Sequence, residues 1–397
     1  MGRVVLFKGQ SQYDVLRIFI DQLGKGFKEQ NKEVVIVDLL ANDVLQQLQN
    51  AFQKPCDFVF AFNAMGIELQ VNNRSLYDVM NVPFIASLVD DPVYHLSRLE
   101  QPVENMLITC VDRAHMNFIN SYYGGQRTCV FLPHGGCKPI KSLKKAHEYE
   151  TREIDVLFAG SYHDPDHFRN QWKNQSRPLA KLLDDIVEHI LNKDYINLAV
   201  AADEVLTFKS IYLSHELSNQ LIKLLPFVDK YVRAYRRKIG LQILAKAGIK
   251  IEIYGSNWEN FNLETSNNIR IHPPINFLEL LHLMQQSKIV LNIDPNFSMG
   301  GHERVFSAML NAAVAVTNMN GFYSKEFIDG KEIVLYSWSK LDELPEKIMQ
   351  VLSDRAIFES IRLAGQQKAE THHTWTERAK QILEFVDLYK SLKHISW

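Results

Sequence analysis

The sequence predicts an α/β protein of two doubly wound, Rossmann-like domains in series, the second carrying a helical insertion. Three observations predict it. Short apolar runs rich in Val, Ile and Phe recur along the chain, separated by segments of helical period. Those runs lack polar alternation, as parallel strands covered on both faces do. The chain has 397 residues, too many for one ordinary core, so two domains are expected.

The first series of strands is RVVLF (3–7), VVIVDL (34–39), DFVFAF (57–62), PFIASL (83–88), MLITCV (106–111) and TCVFL (128–132). Helical segments lie between most of them, and right-handed crossovers make this a doubly wound domain over residues 1–140. A polar, lysine-rich linker follows at 141–153, read as a solvated hinge. The second series begins at IDVLFAG (154–160) and continues with IKIEIYG (249–255), NIRIH (268–272), KIVLNID (288–294), AVAVTN (313–318) and EIVLYS (332–337). The stretch 164–248 has helical period throughout and reads as an insertion, either an acceptor platform or a dimer surface. This second domain spans 154–372, and the tail 373–397 is a crossing helix that packs back on the first domain.

Composition narrows the function. Lys plus Arg number 44 against 46 Asp plus Glu, without the basic excess of a nucleic-acid binder. No apolar run approaches the roughly 18 residues of a membrane span. The N-terminus enters a strand directly, without a signal-peptide core, which makes a cytoplasmic protein the expectation. The cysteines Cys56, Cys110, Cys129 and Cys137 lack metal-type spacing and read as reduced packing residues. Neither domain carries a Gly-x-Gly-x-x-Gly fingerprint, so a dinucleotide oxidoreductase is disfavoured. Ligands of open α/β sheets bind at the carboxyl ends of the strands, so the expected site is the cleft that two such domains would face.

The stretch FSMGGHERVFSAML (297–310) sits between a strand and a helix. Such a junction turns backbone N–H groups and the positive end of a helix dipole outward, and Gly300 and Gly301 would let a phosphate approach. The alternative is a tight turn.

Several segments resemble known proteins. SNWENF (256–261), HPPINFLELLHLMQQSKIVLNIDPN (272–296), GGHERVFSAMLNAAVAVTN (300–318) and FIDGKEIVLYS (327–337) look like the C-terminal domain of GT-B glycosyltransferases. They look most like the CgeB-type and related bacterial proteins of glycosyltransferase group 1, family 4-like. SLVDDPVYHL (87–96) is similar to the Asp-Asp-Pro segment of the N-terminal domain that accompanies it, and HTWTERAKQIL (373–383) to its closing helices. The resemblance implies a GT-B fold and transfer of a hexose-type sugar from a nucleotide-diphosphate donor, with no metal or other cofactor. The sequence departs from the family in one respect. A glutamate that binds the donor ribose in many retaining members is Ser307 here, and an earlier glutamate's place is near Met299. That leaves room for a pseudoenzyme.

The chemistry can be placed residue by residue. A departing diphosphate needs positive charge, which Gly300, Gly301, the N–H groups of His302 and Glu303, and the Arg304 guanidinium could supply. Arg304 could instead pair with Glu303 or Glu326 on the surface. Glu303 could hold sugar or ribose hydroxyls, or merely favour the helix start, and Ser307 offers one hydroxyl. Gly160 and Ser161 resemble a second phosphate-facing loop, with Tyr162 and His163 behind. Tyr254, Gly255 and Trp258 lie where family members cradle the base, although Trp258 could equally be core. On the acceptor side stand Gly9, Gln10 and Asp90. A base for the acceptor's proton could be Asp91, then His95 or His134. Against these stand helix capping by Asp91 before Pro92 and a structural role for a lone histidine. The expected partners are a nucleotide-sugar donor and an unidentified acceptor, with no nucleic acid and no membrane span, and a homodimer if the insertion is a dimer surface. A nucleotide-sugar epimerase and a catalytically silent binding protein are the rival readings.

Overall fold

The computed structural model describes residues 2–138, 149–261 and 267–393. Residues 141–148 of the expected linker and 394–397 of the expected crossing helix lie outside the described residues. The chain divides into two compact units, one of Met1–Cys137 with Thr371–Trp397, the other of Lys138–Glu370.

In the first unit the strands are β1 (Arg3–Lys8), β2 (Glu33–Asp38), β3 (Phe58–Phe62), a two-residue hairpin β4 (Gln70–Val71) and β5 (Arg74–Ser75), β6 (Phe84–Leu88), β7 (Met106–Cys110) and β8 (Thr128–Phe131). Six of them form one sheet in the order β2-β1-β3-β6-β7-β8, every pair parallel. β3, β6 and β7 are buried along their whole length, which is why they read as unbroken apolar runs. The chain's last described helix, Trp375–Lys393, belongs to this unit and packs on the helix Val15–Glu29. Gly26 permits that approach, since a Cβ there would lie 2.9 Å from the Thr376 backbone. Trp375 closes the contact against Phe19 and Phe62, with ring centroids at 4.8 and 5.5 Å.

The second unit holds β9 (Ile154–Ala159), β10 (Ile251–Tyr254), β11 (Ile269–His272), β12 (Ser287–Asn292), β13 (Val314–Asn318) and β14 (Val334–Tyr336). They form a parallel sheet in the order β11-β10-β9-β12-β13-β14. Strand order reverses between β9 and β12, and such a switch point opens a crevice at the strands' carboxyl ends. Between β9 and β10 run four helices, Pro165–Lys173, Arg177–Leu191, Leu198–Phe208 and the 32-residue His215–Lys246. The long helix lies against the carboxyl end of the sheet at Gly240, where a Cβ would stand 3.1 Å from Ile293 Cδ1.

Candidate functional site

The switch point of the second sheet gathers the polar residues. β12 ends in Asn292, and Asp294 follows after one residue. Asn318, at the end of the neighbouring β13, fixes that turn: its Oδ1 accepts from Asp294 N at 2.9 Å and its Nδ2 donates to Asp294 O at 3.2 Å. Asn320 does the same for the glycine loop. Its Nδ2 donates to the carbonyls of Phe297 and Gly300, both at 2.9 Å, and its Oδ1 accepts from Phe322 and Tyr323 N–H groups at 3.0 and 2.8 Å. Two wholly buried asparagines therefore hold the loop on which the helix Glu303–Leu310 begins.

His302 caps that helix through Nδ1, which accepts from Arg304 N at 3.1 Å. Nδ1 is then a lone pair, the proton sits on Nε2, and Nε2 faces Asp294 Oδ2 at 3.4 Å. His302 N–H is already spent on the Tyr323 hydroxyl at 2.8 Å, so it is not the anion donor the spacing suggested. Gly301 has a packing reason as well: a Cβ there would meet Phe306 at 2.8 Å and Phe322 at 3.0 Å.

Arg304 turns inward and donates from Nη1 to Asn292 Oδ1 at 3.1 Å, while its buried Nε makes no hydrogen bond among the described residues. The alternative of a surface pair with Glu326 is not what forms, because Glu326 binds Lys368 at 3.1 Å. Glu303 and Asp294 are each 6% exposed. Burial pushes Glu303 up to about 7, against the pull of Arg304 and with the push of Asp294. Burial likewise pushes Asp294 up to about 6, opposed by Arg233, Arg237 and Arg304. Glu303 Oε2 and Asp294 Oδ2 make no hydrogen bond among the described residues. Ser307 is fully buried one turn below Glu303, so its hydroxyl does not reach the surface as a ribose contact would require.

The Gly160–Ser161 loop closes the other side of the switch point. Gly255 lets the end of β10 approach it, since a Cβ at 255 would fall 2.2 Å from Gly160 O. Ser161 Oγ accepts from Ser256 N at 3.2 Å, and Ser161 O from Arg237 Nη1 at 3.4 Å. Trp258 proves to be core: it is buried, and its Nε1 donates to Gly160 O at 2.8 Å. Tyr162 is buried beside it, and His163 packs near Phe168. Tyr254 stays half-buried and stacks on His272 at 4.3 Å with planes 12° apart, leaving it the aromatic ring of this edge.

In the first unit the structure separates two adjacent aspartates. Asp91 is buried, caps the next turn by accepting from Val93 N at 3.1 Å, and pairs with buried His115 at 3.2 Å. That occupation makes it a structural residue rather than the expected base. Replacing Asp91 with Ala should cost about 2–3 kcal/mol, a lost cap plus a buried imidazole left without its carboxylate. Urea denaturation would read this; a loss under about 0.5 kcal/mol would return Asp91 to the list of chemical candidates. Asp90 points the other way, its side chain 52% exposed, held by Asn63 Nδ2 at 2.9 Å with His95 Nε2 at 3.6 Å. His134 is buried against Phe19, and burial lowers its pKa to about 4, which makes it a poor proton acceptor at neutral pH. Gly9 is buried and Gln10 exposed at the end of β1. Among the described residues no group of three or more His, Cys, Asp or Glu is arranged to hold a metal ion, and no helix is long and apolar enough to cross a membrane.

Residues 236–384 match the family model described as Glycosyl transferase-like, a stretch that includes Arg237, Asp294 and the whole glycine loop. No curated protein matches the chain. Among solved structures, sucrose-phosphate synthase from Thermosynechococcus elongatus is similar at a TM-score of 0.56 and 11% identity over 100% of both chains. AviGT4, a glycosyltransferase involved in avilamycin A biosynthesis, is similar at 0.57 and 12%, again over 100% of both. Anabaena Alr3699/HepE in complex with UDP and glucose is similar at 0.53 and 12%, over 98% of this chain and 100% of the other. The fold of this chain is GT-B, two Rossmann-like units each with a six-stranded parallel sheet.

Proposed function

We propose that the protein is a glycosyltransferase that moves a sugar from a nucleotide-diphosphate donor to an acceptor still to be identified, without a metal. The observation that carries this reading is Arg304. It is held by Asn292 at the switch point of the second sheet, in the first turn of the helix Glu303–Leu310, with a buried Nε that makes no hydrogen bond among the described residues. A guanidinium and a helix N-terminus together favour phosphate oxygens, and a diphosphate leaving group needs that stabilisation. The match over residues 236–384 supports the same chemistry. Glu303 or Asp294, each with an oxygen that makes no hydrogen bond among the described residues, would take sugar hydroxyls, and Tyr254 would stack on the base.

The fully buried Ser307 favours a second reading, a protein that binds the nucleotide without transfer, because no carboxylate stands where the resemblance expects one.

Calorimetric titration with UDP, GDP, CDP and dTDP without added metal tests the first step. One nucleotide should bind selectively, and Arg304→Ala should weaken it roughly ten- to hundredfold through loss of a charge-assisted hydrogen bond. Absence of binding to all four would end the donor reading. Binding without hydrolysis or transfer of the matching nucleotide-sugar would favour the second.

A further inference from the structure

We propose that the helical segment between β9 and β10 is a working part of the donor site: Arg233 and Arg237 of the helix His215–Lys246 bind the donor's diphosphate. The inference rests on the nucleotide-sugar reading and gives the insertion a role in it. The two arginines are four residues apart, so they project from one face of the helix. Gly240, three residues beyond Arg237, brings that face down onto the end of β12, with a Cβ at 240 only 3.1 Å from Ile293 Cδ1. Arg237 thereby lies over the Gly160 loop, its Cζ 3.6 Å from where a Gly160 Cβ would be, and its Nη1 donates to Ser161 O at 3.4 Å. Its buried Nε makes no hydrogen bond among the described residues.

Charge is what sets this group apart from an ordinary structural cluster. Arg233, Arg237 and Arg304 all act on the buried carboxylate of Asp294; burial, then Arg233 and Arg304, lower Arg237, while Asp294 and Asp229 pull it back up. Arg233 has a carboxylate partner, Asp229, at 2.9 Å. Among the described residues neither Arg237 nor Arg304 has an Asp or Glu oxygen within 4.0 Å. Three buried carboxylates, Asp294, Asp229 and Glu303, stand among these arginines, and burial pushes Asp294 and Glu303 toward their neutral forms, which favours an anion that joins the guanidiniums. Arg236, between the two, shows the contrast: it is buried as a structural residue, donating from Nη2 to the Ile190 and Lys193 carbonyls at 2.9 and 2.5 Å. A guanidinium presents a planar fork to phosphate oxygens, so arginines from the helix and from residue 304 can grip two linked phosphates where one phosphate would engage fewer of them.

The test is calorimetry on the full chain with UDP and UMP, or the corresponding pair of whichever base binds, for wild type, Arg237→Ala, Arg237→Lys and Arg233→Ala. The expected result is a roughly ten- to hundredfold loss of diphosphate affinity in Arg237→Ala, a smaller loss for the monophosphate, and partial recovery in Arg237→Lys. Equal losses for both nucleotides would mean that Arg237 only props the Ser161 loop, and wild-type affinity in both alanine variants would overturn the assignment outright. Arg237→Lys guards against a variant that does not fold. If the wild type binds no nucleotide, the donor reading itself fails; if it binds UDP and only the arginine effects are missing, this inference fails alone.

Discussion

At pH 8 the Glu303→Gln variant should be more stable than the wild type by roughly 3 kcal/mol, and near pH 4.5 the gap should close to less than about 0.5 kcal/mol. Glu303 is 6% exposed, and burial sets its carboxyl at about 7 where an ordinary glutamate has 4.5. The sign follows from proton counting. The folded state holds this proton more tightly than the unfolded state, so between pH 4.5 and 7 the native protein binds more protons and loses stability as pH rises. Above pH 7 the whole cost of an ionised buried carboxylate is present; below 4.5 neither state is ionised and none of it is. Glutamine keeps the shape and removes the charge, so it escapes the cost only on the alkaline side. Urea denaturation at the two pH values measures the difference. A variant less stable than wild type at pH 8 would show that the attraction of Arg304 outweighs burial. The same linkage reaches the proposed donor. A diphosphate beside Arg304 would raise Glu303 further, so as pH falls from 8 to 6 wild-type nucleotide affinity should gain relative to that of the glutamine variant, Asp294 and the nucleotide's own phosphate titrating equally in both.

A carboxylate kept at such a cost marks a place where local rules are broken, and the sequence shows why it was hard to see. The six strands of each sheet were legible because strands buried on both faces must be continuously apolar, and β3, FVFAF, could be little else. The hairpin β4–β5 was not, since its strands are two residues each and its signal is only Asn72 and Asn73, both at positive φ. HERVF marked the right helix. Its supports did not announce themselves: Asn318 read as the polar end of a strand, Asp294 as one more strand terminus, and Asn320 carried no signal of its own. Arg233 and Arg237, within YVRAYRRKIG, look like solvated cations, because helical period tells which face is buried and not what the helix docks against. At Asp90 and Asp91 spacing placed both residues at a strand end. Adjacent residues at a strand end point to opposite sides, and only the packing of His115 settles that 91 turns inward and 90 out.

Trp258 makes the same point with the largest expected loss. Trp258→Ala should cost about 3–5 kcal/mol, the range for removing a buried aromatic side chain. Its ring meets Phe158, Tyr162 and Phe261 with centroids at 6.1, 5.6 and 5.3 Å, so the cavity would open in the core beneath β9 and β10. Trp258→Phe should keep most of that packing and lose about 1–2 kcal/mol, since Gly160 O would give up the 2.8 Å bond from Nε1. That bond and the missing Cβ of Gly255 together fasten the loop on which Arg237 rests. Nucleotide affinity separates the two roles that the sequence left open for this residue. A core tryptophan leaves affinity within about threefold of wild type in the folded phenylalanine variant, because the contact it supplies is to protein. A tryptophan stacked on the base would lose several-fold or more on the same exchange, stacking on an aromatic being worth about 1–3 kcal/mol for a base. The structure commits to the first outcome, because a ring sealed between Phe158, Tyr162 and Phe261 has no face left to offer a nucleotide, whereas Tyr254 on the same edge remains half-buried.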